Sequence, residues 1–102
     1  MDAILPLVTS EARVATPNAA RYMVQLCKHF QHKLPVTQEG ARGRIEFPAG
    51  LCLLDTATAA DTLIMTVSTR DAASLPVLED VVARHLVRFA FRETLAIAWV
   101  QG

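Results

Sequence analysis

Hydrophobic positions along this chain switch between a two-residue and a three-to-four-residue period, and the switches divide it into short elements. Over residues 8–15, Ala12 and Val14 alternate with Glu11 and Arg13, which predicts a half-buried strand. Thr16 and Pro17 then give a helix start: a hydroxyl able to cap, followed by a residue whose missing amide hydrogen costs nothing at the first helical position. The helix is expected to run to about His32, with Ala20, Met23, Leu26, Cys27 and Phe30 forming one apolar stripe. Pro35 stops it. Short strands are predicted at 36–39, 43–47, 51–56 and 62–68, with Gly40, Gly43, Pro48, Gly50 and Asp61 marking turns. A second helix opens at Asp71 and Ala72. It becomes regular near Ser74, because Pro76 is tolerated only in a first turn, and it carries Leu75, Leu78, Val81, Val82, Leu86 and Phe89 inward to about Ala90. Residues 95–100 are apolar at almost every position, which predicts a last strand buried on both faces or used in a subunit contact.

The resulting order is β-α-β-β-β-β-α-β. Both helices have a stripe to bury, and an α+β two-layer sandwich, one antiparallel sheet with two helices packed on one face, buries both. Residues 1–102 are read as a single domain, since 102 residues that are 52% hydrophobic can enclose one core without staples. Residues 1–8 lack a basic start and are interrupted by Pro6, so they read as a leader into the first strand. No segment approaches the roughly 20 apolar residues of a membrane span. Ten basic and ten acidic residues cancel, which removes the global field that would draw nucleic acid or an anionic membrane. Two cysteines with no export signal read as reduced thiols in a cytoplasmic protein.

Chemistry-bearing side chains concentrate in Cys27-Lys28-His29-Phe30-Gln31-His32-Lys33. At helical spacing His29 and His32 project about 60° apart, off the apolar stripe and toward water or a partner. They are the candidate metal ligands, although the two-histidine motif of the zinc proteases uses a four-residue offset with a neighbouring glutamate. His85 falls between Leu78, Val82 and Phe89 on the inward side of the second helix and needs a polar partner there; a core histidine bonded to a backbone carbonyl is the leading expectation, with Tyr22, Cys27 and Glu46 as side-chain candidates. Cys27 points to the apolar side, where a cysteine ordinarily fills space; acting as a nucleophile would require a nearby base and an electropositive setting. Arg84, Arg88 and Arg92 recur every four residues behind Asp80, so a surface ion-pair ladder is expected, with oxyanion capture by these arginines and Lys28 or Lys33 as the functional alternative. There is no Gly-x-Ser-x-Gly elbow, phosphate-cradling glycine loop or four-cysteine pattern.

Longer stretches point to a family. Ala12-Arg13-Val14-Ala15-Thr16, the segment from Arg21-Tyr22 to Cys27-Lys28-His29-Phe30, Gly43-Arg44-Ile45-Glu46-Phe47, the segment from Leu78-Glu79-Asp80 to Phe91-Arg92-Glu93, and the closing Leu95-Ala96-Ile97-Ala98-Trp99 resemble the bacterial domain of unknown function 2218. The resemblance covers nearly the whole chain and implies a soluble domain in an iron-siderophore context, with no catalytic residues to transfer. The leading expectation is therefore a binding or accessory domain with a cleft between the helices. Tyr22, Cys27, His29, His85 and Arg88 are its candidate ligand-binding residues, and a small anion or iron chelate is its ligand. An enzyme using Cys27 or His85, and a homodimer paired through the last strand and Trp99, are the alternatives. The sequence names no cofactor.

Overall fold

A computed structural model of the chain describes residues 7–102, so the leader expected before Leu7 lies outside the described residues. The elements follow the expected order: β1 (Val8–Ala15), α1 (Ala19–Phe30), β2 (Val36–Glu39), β3 (Arg42–Phe47), β4 (Gly50–Asp55), β5 (Thr62–Thr69), α2 (Ser74–Phe89) and β6 (Val100–Gln101). The strands form one antiparallel sheet in the order β2-β3-β4-β5-β1-β6. Its register aligns the inward side chains in rows: Ile45, Cys52 and Val67 across β3, β4 and β5, and Leu54, Met65 and Ala12 across β4, β5 and β1. Met23, Leu26 and Cys27 of α1 and Leu78, Val82 and Leu86 of α2 close over these rows to make the core. The other face presents Arg13, Asp55, Arg42 and Glu39 in one cross-strand row, with Ile64 shielded among them. Ser10 of β1 donates a 2.5 Å hydrogen bond to Glu79 of α2, fixing that helix to the sheet. No helix among the described residues is long and apolar enough to cross a membrane.

Several local expectations are corrected. The first helix begins at Ala19, not at Pro17, because the Thr16 hydroxyl accepts the Asn18 amide at 3.1 Å and turns residues 16–18 ahead of the helix. Its buried stripe accordingly runs through Ala19 and Tyr22, and Ala20 is exposed. The helix ends at Phe30, whose carbonyl accepts the amides of Lys33 and Leu34, so His32 sits in the following turn. Gly43, read as a turn residue, lies inside β3, and Gly50 opens β4 directly after the turn at Pro48 and Ala49. Each is glycine because something presses against it: the Cys27 sulfur at Gly43 and the Ser68 carbonyl at Gly50. Gly40 and Asp61 do occupy turns, both with positive φ.

The last strand is the largest departure. Only Val100 and Gln101 pair, opposite Glu11 and Ser10 of β1. Before them Leu95, Ile97 and Trp99 are half-buried against the core while Thr94, Ala96 and Ala98 face outward. The segment is a one-sided cover over its own core, not a strand buried on both faces.

Candidate functional site

The end of α1 lies against the middle and end of α2, and their aromatic residues meet in one cluster. Phe30 is buried and packs edge-on against Phe47 of β3, with ring centres 5.0 Å apart. His85 lies over Phe30 at 4.8 Å and beside His29 at 4.8 Å, the two imidazoles tilted by 47°. Phe89 closes the other flank of His29 at 5.7 Å. His29 is exposed and His85 half-buried, so the pair opens to solvent above an aromatic floor. His85 bonds a backbone carbonyl, as the leading reading expects, but at the rim of the core and not within it: the Val81 carbonyl lies 2.6 Å from Nδ1. A carbonyl only accepts, so Nδ1 carries a proton and the neutral ring presents Nε2 as a bare lone pair. The pKa of His29 is lowered, by partial desolvation first and then by the neighbouring His85, Arg88, His32 and Lys33, which favours its neutral form.

Next to His85, a shallow depression of about 400 Å³ is lined by Ala83, Arg84, His85, Val87 and Arg88. Arg84 is engaged with Asp80 at 2.9 Å, the expected ladder contact. Arg88 enters no ion pair among the described residues. Arg92 does not extend the ridge, because α2 has ended, and its guanidinium lies 5.4 Å from the Phe91 ring centre. The structure thus brings His29, His85 and Arg88 to one seam. It places the other two expected ligand residues elsewhere.

Cys27 is in the core, 2% exposed, with its sulfur against Gly43. Burial raises its pKa, and the fully buried Cys52 is pushed up to about 12, by desolvation first and then by Cys27. Neither thiol is suited to form a thiolate at neutral pH. Tyr22 belongs to a separate polar cluster around Glu93, a residue that no local pattern singles out. The Glu93 carboxylate accepts from the Tyr22 hydroxyl, from the Thr16 hydroxyl at 2.9 and 3.1 Å and from Asn18 Nδ2 at 2.8 Å. These bonds tie the segment after α2 to the start of α1, across 71 to 77 residues. They also explain why Asn18 makes no side-chain cap on α1. The Glu93 pKa falls below its ordinary value, chiefly through the Tyr22 hydrogen bond and then those of Asn18 and Thr16, and the Tyr22 pKa rises for the same reason. A carboxylate whose folded pKa is depressed stabilises the fold above its unfolded pKa, near 4.5, and that contribution is lost as pH falls through the folded value. Urea midpoints measured from pH 7 to pH 3 are expected to show Glu93→Gln less stable than the parent at neutral pH, with the gap narrowing below about pH 4.5. A gap independent of pH would remove the carboxylate from this role.

Another depression, about 490 Å³, is lined by residues 47–51, 68–71 and Ser74 and by no histidine. It holds no imidazole or thiol, and its Asp71 carboxylate is already engaged by the Ser74 amide at 2.8 Å and hydroxyl at 3.0 Å. Among the described residues no group of three or more His, Cys, Asp or Glu is placed to hold a metal ion. Residues 11–100 match the family model of an uncharacterized protein conserved in bacteria, DUF2218. The chain belongs to this family. The fold is also similar to the NMR structure of PA4090 from Pseudomonas aeruginosa, which is 40% identical, with a TM-score of 0.75 over 91% of this chain and 95% of that one. No curated protein matches. Neither description names an activity or a ligand, so the chemistry of this DUF2218 domain rests on the seam itself.

Proposed function

We propose that the domain is a small binding or accessory protein that takes a compact anionic ligand at the α1–α2 seam, with Arg88 as the charged anchor, His29 as a hydrogen-bond donor and the His85 ring as part of the lining. The observation that carries this reading is Arg88: an exposed guanidinium outside every ion pair among the described residues, at a depression whose lining joins it to Ala83, Val87 and the His85 imidazole. A guanidinium holds a carboxylate through two parallel hydrogen bonds, and the apolar Ala83 and Val87 side chains limit the water that would compete. The positive groups around His29 add attraction for an anion. A carboxylate-bearing iron chelate is the ligand suggested by the family resemblance. The enzyme reading built on Cys27 loses support, since a buried thiol with a raised pKa is a poor nucleophile.

Amide and histidine-ring NMR titration with citrate and with ferric citrate provides the test. Saturable shifts are expected at residues 83–88, with affinity for citrate reduced about tenfold or more by Arg88→Gln. Shifts that are absent, or that Arg88→Gln leaves unchanged, would overturn the reading.

A further inference from the structure

We infer that His29 and His85 form an open, two-imidazole site for a divalent transition-metal ion of the zinc, nickel or copper class, bridging the ends of two helices. The site occupies the seam of the binding reading but does not require Arg88 or an anion. Two imidazoles on one such ion, each with a nitrogen about 2.0–2.1 Å from the metal, have ring centres about 5 Å apart at near-tetrahedral angles. His29 and His85 stand at 4.8 Å. Their 47° tilt departs from stacking, an arrangement in which ring edges can converge on a common point.

A second observation comes from behind His85. Its Nδ1 donates to the Val81 carbonyl at 2.6 Å, the backing that fixes ring orientation and tautomer in metal-binding histidines and leaves Nε2 as the donor atom. The Phe30 and Phe89 rings support the two imidazoles from the core side, restricting their rotation before any ion arrives. A preorganised pair loses less side-chain freedom on binding than two mobile surface histidines. His32, the partner that spacing within α1 suggested, enters none of these ring contacts and lies in the turn beyond the helix. Two protein nitrogens leave the remaining coordination positions to water or an external donor, which is the open arrangement suited to capturing a metal that carries its own ligands.

The experiment is calorimetric titration of chelator-stripped protein with zinc chloride and nickel sulfate in a non-coordinating buffer, with ¹⁵N shifts of the three histidine rings followed in parallel. One ion per chain is expected, with the His29 and His85 nitrogens shifting and the His32 ring unmoved. Affinity should fall at least about tenfold in His29→Gln and in His85→Gln, while His32→Gln stays within about twofold of the parent. The inference is overturned if the parent shows no saturable binding with its rings unshifted, or if binding survives His85→Gln and is lost in His32→Gln. Because no citrate is present, failure here leaves the citrate titration standing, and failure of the citrate titration leaves this result standing.

Discussion

Gly50→Ala is expected to destabilise the domain by about 3 kcal/mol or more, the largest effect of any single methyl group added to this chain. A Cβ built at Gly50 would lie 2.1 Å from the Ser68 carbonyl oxygen and 3.0 Å from the Thr69 methyl carbon. The nearest of these atoms is backbone in β5, paired in the centre of the sheet, so no rotamer change relieves the overlap and strands β4 and β5 have to separate locally. For a domain of about 100 residues, a loss of this size lowers the melting temperature by about 12 °C or more. Thermal unfolding followed by circular dichroism measures it. A melting temperature within about 2 °C of the parent would mean that the β4–β5 approach is looser than described here.

Gly43→Ala is expected to cost about 1–3 kcal/mol, and Cys27→Ala in the same chain to restore part of it. The added Cβ would meet the Cys27 sulfur at 2.8 Å, with Leu54 side-chain atoms at 3.6 and 3.7 Å behind it. Here the obstructing atom is a side chain that can be removed. Cys27→Ala alone leaves a small void and costs about 1 kcal/mol, whereas in the double variant the new methyl group occupies space the sulfur vacated. Urea unfolding of the four proteins should give a coupling free energy of about 1 kcal/mol or more in favour of the pair. Strict additivity would separate Gly43 from Cys27 and reopen the question of what the thiol does. The contact matters beyond stability, since it lets α1 sit close to β3 and so sets the position of His29, two residues further on.

The repeating patterns of the sequence were a good guide to where elements lie. Alternation at Glu11 to Val14 and the recurrence of Leu75, Leu78, Val82 and Leu86 each follow from one buried face, and both appear in the fold as read. Boundaries failed where a side chain had a better partner far away in sequence. Thr16 and Asn18 look like capping residues, yet both serve Glu93 from the other end of the chain. Nothing local to Glu93 signals that role. Residues 95–99 misled for a different reason: alanine is apolar but small, and Ala96 and Ala98 tolerate the outward positions between Leu95, Ile97 and Trp99. Gly43 and Gly50 suggested turns because glycine is common there, but close approach between strands and helix demands the same residue.

Two of the candidate ligand residues could be placed from spacing alone. His29 off the stripe and Cys27 on it follow directly from helical rotation, and both are so arranged. That His29 meets His85 depends on how the two helices are offset along their lengths, which no single helix encodes. The Phe30, Phe47 and Phe89 contacts fix that offset, and they come from three different elements. Tyr22 was grouped with the histidines because it shares a helix with His29, but its hydroxyl is committed to Glu93 at the other end of that helix.

The central claim is that the α1–α2 seam joins His29 to His85, with the His85 tautomer fixed by Val81. A long-range ¹H–¹⁵N spectrum of the histidine rings, combined with ring-to-ring cross-relaxation, tests it most directly. The expected result is a protonated Nδ1 and a bare Nε2 on His85 at pH 7.5, with cross-peaks linking the His29, His85 and Phe30 rings. An Nε2-protonated His85 with no cross-peak to His29 would contradict the seam and every ligand reading built on it.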